Sequence, residues 1–123
     1  MILLFLAAVA LAGPCTATDG DTIRCGSERI RLTAIDAPEM PGHCRQGRDC
    51  APGDPFASRD AIKSILSGAT ASIERLGVDR YGRTVADVYV AGKSLSCLQL
   101  SAGHARYWAK YDQGQRIAKE CGL

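Results

Sequence analysis

The sequence predicts a mainly β domain of the α+β class: a five-stranded, partly open barrel with about three helices. Three observations predict it. Short stretches of alternating polar and apolar residues are separated by turn signals at Asp19-Gly20, Gly26-Ser27 and Asp79 to Gly82. One helical stretch, opened by Asp54-Pro55, falls between the third and fourth of these stretches. The 123 residues are enough for one compact domain and too few for two.

In chain order, the first feature is an apolar run from Ile2 to Ala12, shorter than the ~20 residues of a membrane span. With Ala10-Leu11-Ala12 ahead of Gly13 it resembles a secretory signal peptide, giving a leader over 1–12 and a single domain over 13–123. No Lys or Arg precedes the run, a feature that a longer start would supply. A buried apolar strand is the competing reading; Pro14 ahead of Cys15 argues against a lipoprotein. The mature form is expected to be secreted or periplasmic, a monomer, and not stably attached to a membrane. Six cysteines agree with export, because an even number in a small secreted chain reads as a disulfide framework. Proximity favours Cys15–Cys25, Cys44–Cys50 and Cys97–Cys121. Zinc is the alternative, but there is no C-x-x-C pair, and His43 beside Cys44 is a lone hint.

Cys15 to Asp19 is a short extended segment ending in the hairpin signal Asp19-Gly20. A loop centred on Gly20 sets Thr18 opposite Thr22 and Cys15 opposite Cys25; a two-residue loop would move Cys15 opposite Arg24. From Glu28, Ile30, Leu32 and Ala34 alternate with Arg29, Arg31 and Thr33, as in a half-buried strand. Asp36 stands at its end, and Pro38 stops regular continuation through Glu39. Met40 to Gly53 reads as a loop that Cys44–Cys50 would tether. Asp54 then caps a helix with Pro55 at its first position and Phe56, Ala57, Ala61, Ile62, Ile65 and Leu66 on its apolar face. Strands follow over about Ala69 to Val78 and Arg83 to Val90, then a helix carrying Leu95, Leu98 and Ala102. Asp112 to Cys121 is expected to close the chain as a short helix. Short antiparallel strands with one such intervening helix are the OB-fold arrangement, a frequent host of nucleic-acid sites.

The chemistry gathers between Asp19 and Glu39. Fifteen Lys+Arg against thirteen Asp+Glu leave a net charge of +2, so polyanion binding must rest on local placement. Asp21 and Asp36 end neighbouring strand segments, and two carboxylates with carbonyl and water oxygens suit calcium. Asp-Gly alone often makes only a turn. Glu39 is placed to act as a general base for an attacking water; standing alone it would be an ordinary loop acid. Arg31 and Arg83 can grip phosphate oxygens with paired N–H donors, although a single strand arginine more often serves in a surface ion pair.

The D-G-D-T opening, the R-L-x-x-I-D-A-P-E segment and the later D-R-Y-G-R resemble the staphylococcal nuclease family in order and spacing, from Asp19 to about Tyr111. The resemblance implies an OB-fold, calcium-dependent cleavage of DNA and RNA, and fragments bearing 3′-phosphate. It assigns Asp21, Asp36 and the Ala37 main-chain carbonyl to calcium, Glu39 to the water, and Arg31 and Arg83 to phosphate. It puts Asp19 behind the ligands and Arg80, Tyr81 and Tyr111 beside the bound nucleotide. A second tyrosine of the family falls at Ala109, where Trp108 offers a substitute stacking face. The main alternative is an OB-fold module that binds nucleic acid without cutting it. Retention of Asp21, Asp36, Glu39, Arg31 and Arg83 speaks against that alternative.

Overall fold

Ile23, Ile30, Leu32, Ile35, Ile62, Ile73, Val88 and Leu95, drawn from strands and helices across the chain, form one buried cluster. The computed structural model that contains it describes residues 8–11 and 13–123. Most of the expected leader over 1–12 therefore lies outside the described residues. Within the described part, β1 (Val9–Ala10) pairs antiparallel with Ile73 and Ser72. The Leu11 N–H donates to the Ala71 carbonyl at 2.9 Å. Val9 stays exposed, so these residues lie along a sheet edge and are not a buried strand.

β2 (Cys15–Asp19), β3 (Thr22–Cys25) and β4 (Glu28–Leu32) form an antiparallel meander. Its first turn corrects one expectation. Asp19, not Thr18, faces Thr22, and an irregularity between Ala17 and Asp19 absorbs Thr18, so Cys15 still faces Cys25. A bulge restores the register that a two-residue loop alone would have lost. β4 also ends earlier than the alternation suggests. At Ala34 the backbone turns left-handed (φ 62°), which breaks the strand and starts the two-residue β5 (Ile35–Asp36).

A long loop leads to α1 (Pro55–Leu66). The Asp54 carboxylate caps it by accepting the N–H groups of Phe56 and Ala57 at 2.9 and 3.3 Å. Ser58, Ile62 and Leu66, each one turn apart, are its buried stripe. Phe56, expected on that face, is exposed, because its position falls on the opposite side of the first turn.

β6 (Ala71–Val78) and β7 (Thr84–Val90) form a long antiparallel pair, followed by β8 (Lys93–Ser94), α2 (Leu95–Ser101), β9 (Arg106–Tyr107) and α3 (Arg116–Cys121). The main sheet runs β1-β6-β7-β4-β3-β2 with β8 on β7, and β5 pairs separately with β9. The five longer strands are the five expected. The two-residue strands carry no readable periodicity, and His104 to Tyr111 resolves into β9 and a 3₁₀ turn over Ala109–Tyr111. The β4–β7 contact is parallel, with Arg31 opposite Val85. It brings the strand holding Arg31 beside the strand that follows Arg83. This is the mixed α+β architecture of an OB-fold.

All three expected disulfides are present: Cys15–Cys25, Cys44–Cys50 and Cys97–Cys121. Such bridges typically contribute about 2–4 kcal/mol each by constraining the unfolded chain, and they belong to oxidising compartments. Cys97–Cys121 fastens α3 to α2. A buried polar network completes that attachment. Asp87 accepts hydrogen bonds from Ser94, Tyr89 and the Arg116 guanidinium, and Arg116 also pairs with Glu74. Asp87 alternates with the core residues Ala86 and Val88 along β7, yet it too is fully buried, since Arg116 of α3 covers its face. No described helix is long and apolar enough to cross a membrane.

Candidate active site

The turn that presents Asp21 is fixed from below by two helices. Gln99 of α2 donates its amide to the carbonyls of Gly20 and Ser58 at 2.9 and 3.0 Å. The Ser58 hydroxyl donates to the His104 carbonyl at 2.7 Å. A Cβ at Gly20 would lie 1.7 Å from Ser58 Oγ, so only glycine fits this approach of turn to helix.

Asp21 is nearly buried and reaches across to the next functional segment: its Oδ2 accepts the Ala37 N–H at 2.9 Å. The Thr22 hydroxyl donates to its Oδ1 at 3.1 Å, and Arg31 Nη1 lies 3.3 Å from its Oδ2. Burial pushes the Asp21 carboxyl up, but the Arg31 charge, the Asp19 side chain and the Ala37 and Thr22 donors together hold it below its ordinary value. Asp19 stands behind it, accepting the Asp21 N–H at 3.1 Å. Burial and the neighbouring Asp21 carboxylate push Asp19 up to about 7.

Asp36, on β5, is 1% exposed yet carries two guanidinium groups. Arg48 Nη2 lies 3.1 Å from its Oδ1, and Arg106 Nη2 lies 3.0 Å from its Oδ2. Arg48 Nη1 also donates to Glu39 Oε1 at 2.6 Å, so one side chain joins the two acids. Both Arg31 and Arg48 sit over the Trp108 ring, at 5.8 and 5.6 Å, and Tyr111 packs edge-on against that ring. Asp21, Ala37, Asp36, Glu39 and Arg31 therefore form one contiguous cluster, walled by Trp108.

Arg83 belongs to a second cluster. Its Nε pairs with Asp79 at 2.7 Å, so its partner is a turn acid and not one of the three site carboxylates. Its guanidinium lies 5.4 Å from the centre of the Tyr81 ring, which also receives Arg80 at 4.9 Å and Arg45 at 5.6 Å. Arg80 donates to the Tyr81 hydroxyl at 2.7 Å and draws that phenol below its ordinary value. Three positive charges around an exposed ring make a surface suited to a phosphate chain and a stacked base.

Two participants were not anticipated from sequence. Arg48 lies in the loop before α1, and Arg106 lies in a segment without readable periodicity. Neither has a positional signal that points to Asp36, which lies twelve and seventy residues away respectively.

The donor set fits a hard cation. Both buried carboxylates offer oxygen, and the Asp21–Ala37 hydrogen bond brings the two strand ends together. Among the described residues no three His, Cys, Asp or Glu side chains gather to cage an ion by themselves. Carbonyl and water oxygens would have to complete the shell.

With this geometry established, comparison with known proteins gives the class. The family model described as staphylococcal nuclease homologue matches residues 29–121, three quarters of the chain, and the protein belongs to that family. It is 36% identical over 103 residues to the succinoglycan biosynthesis protein ExoI of Rhizobium meliloti, covering 80% of this chain and 53% of that one. It is 34% identical over 99 residues to an uncharacterized endonuclease of Escherichia coli O157:H7, covering 76% and 58%. With the probable staphylococcal-like nuclease CAN1 of Oryza sativa subsp. japonica it shares 31% over 102 residues, covering 81% and 27%. The chain thus spans about half the length of the first of these relatives and about a quarter of the last.

Proposed function

We propose that this protein is a calcium-dependent nuclease that hydrolyses phosphodiester bonds of DNA, RNA or both and leaves 3′-phosphate ends. The observation that carries this reading is the convergence of Asp21, Asp36, Glu39 and Arg31 in one cluster of a chain from a nuclease family. A calcium ion held by Asp21, Asp36 and the Ala37 carbonyl would supply Lewis-acid polarisation of a phosphoryl oxygen. Glu39 takes or directs the proton of a water attacking phosphorus in line with the departing 5′-oxygen. Arg31 stabilises the charge that accumulates on the phosphoryl oxygens, and Arg83 joins it by exchanging Asp79 for phosphate. Trp108, Tyr111, Tyr81 and Arg80 flank the bound nucleotide. In this reading residues 1–12 are a leader and 13–123 a monomeric domain, and the three disulfides favour work in the periplasm or outside the cell.

The test uses the oxidised protein with single-stranded DNA, duplex DNA and RNA in calcium. Cleavage of at least one substrate is expected. Binding of all three without cleavage would establish the non-catalytic OB module instead.

A further inference from the structure

The loop between Met40 and Gly53 delivers one arginine to each of the two clusters. Arg48 donates to Glu39 at 2.6 Å and to Asp36 at 3.1 Å, while Arg45 lies over Tyr81. Both sit inside the small ring closed by Cys44–Cys50, whose Cα atoms are 6.2 Å apart. Arg31 is aimed by its strand and Arg83 by the Asp79 turn, whereas these two lie within a covalent clasp. Arg48 also keeps about a third of its side chain in water, so its path outward is open.

A guanidinium that neutralises two carboxylates needs another anion once those carboxylates take other partners. Phosphate offers the same forked geometry as a carboxylate. We infer that Arg48 is a substrate-binding residue of this site. It rests on Asp36 and Glu39 in the free protein and passes to a backbone phosphate of the bound strand when cation and water claim those acids. The inference depends on the phosphodiesterase reading above. It has two consequences that a purely structural arginine lacks. Arg48 competes with the cation in the free protein, and it adds one phosphate contact in the complex.

The experiment compares the parent protein with Arg48→Gln and Arg48→Lys. Calcium affinity is measured by calorimetry without nucleic acid. Binding of a short phosphorothioate single strand is then measured in calcium across a salt series. For Arg48→Gln, calcium should bind several-fold more tightly, and the slope of log K against log salt should become shallower by about 0.7, the share of one phosphate contact on a single strand. KM should rise more than kcat falls, and Arg48→Lys should restore the slope. An unchanged slope in Arg48→Gln, with the parent cutting normally, overturns the inference alone. Weaker calcium binding in that variant also overturns it, because Arg48 would then only hold the acids in place. A parent protein that neither binds nor cuts the strand removes the phosphodiesterase reading, and the inference with it.

Discussion

Glu39→Gln lowers turnover by about 10²- to 10⁴-fold, the usual contribution of a positioned general base, while strand binding in calcium stays close to that of the parent. Glutamine keeps the shape and a hydrogen-bond acceptor but cannot take a proton. In the free protein the substitution weakens one ion pair, with Arg48 Nη1 at 2.6 Å. Both partners of that pair are partly exposed, so the stability cost is under about 1 kcal/mol. Single-turnover cleavage, strand affinity and thermal unfolding, measured together, separate a chemical loss from a folding loss. Turnover near the parental rate would remove Glu39 from catalysis.

Asp36→Asn produces the second large effect, and here activity and stability part company. The substitution removes one of the two buried carboxylates assigned above to the cation, so calcium affinity should collapse and cleavage should fall to the level seen in chelator. Stability should fall by only about 1–3 kcal/mol, the cost of losing charged hydrogen bonds at a buried acceptor. The reason is that neither arginine is abandoned. Arg48 retains Glu39, and Arg106 retains the Asp49 carbonyl at 2.5 Å and the Asp49 carboxylate at 3.4 Å. Calorimetry with calcium and a denaturation curve check the two halves. Unchanged calcium affinity would place the ion elsewhere.

The parts of this molecule legible in its sequence are those in which a local rule decides the outcome. Asp54-Pro55 starts α1 because the cap and the fixed proline φ act within one turn. Cys15 faces Cys25 because a short hairpin leaves them few other options, even though the bulge at Thr18 was not foreseen. Asp21 and Asp36 were legible as a pair because both fall where the alternating stretches of the sequence begin or end. Their actual junction, the Ala37 N–H on Asp21, is a tertiary contact across sixteen residues. Arg48 and Arg106 were illegible for the same reason. A loop residue such as Arg48 and a two-residue strand such as the one holding Arg106 show no period, and their partners are chosen by the fold. Asp87 shows the limit of strand alternation: it alternates with Ala86 and Val88 along β7, yet Arg116 of α3, twenty-nine residues on, makes its face interior as well.

The most direct measurement is end-group analysis of fragments from single-stranded DNA incubated with the oxidised protein, once in calcium and once in excess chelator. A site in which Asp21 and Asp36 hold the ion, Glu39 handles the water, and Arg31 and Arg83 meet the phosphate predicts 3′-phosphate fragments in calcium and intact strand in chelator. Fragments that persist in chelator, or that carry 3′-hydroxyl ends, would contradict it.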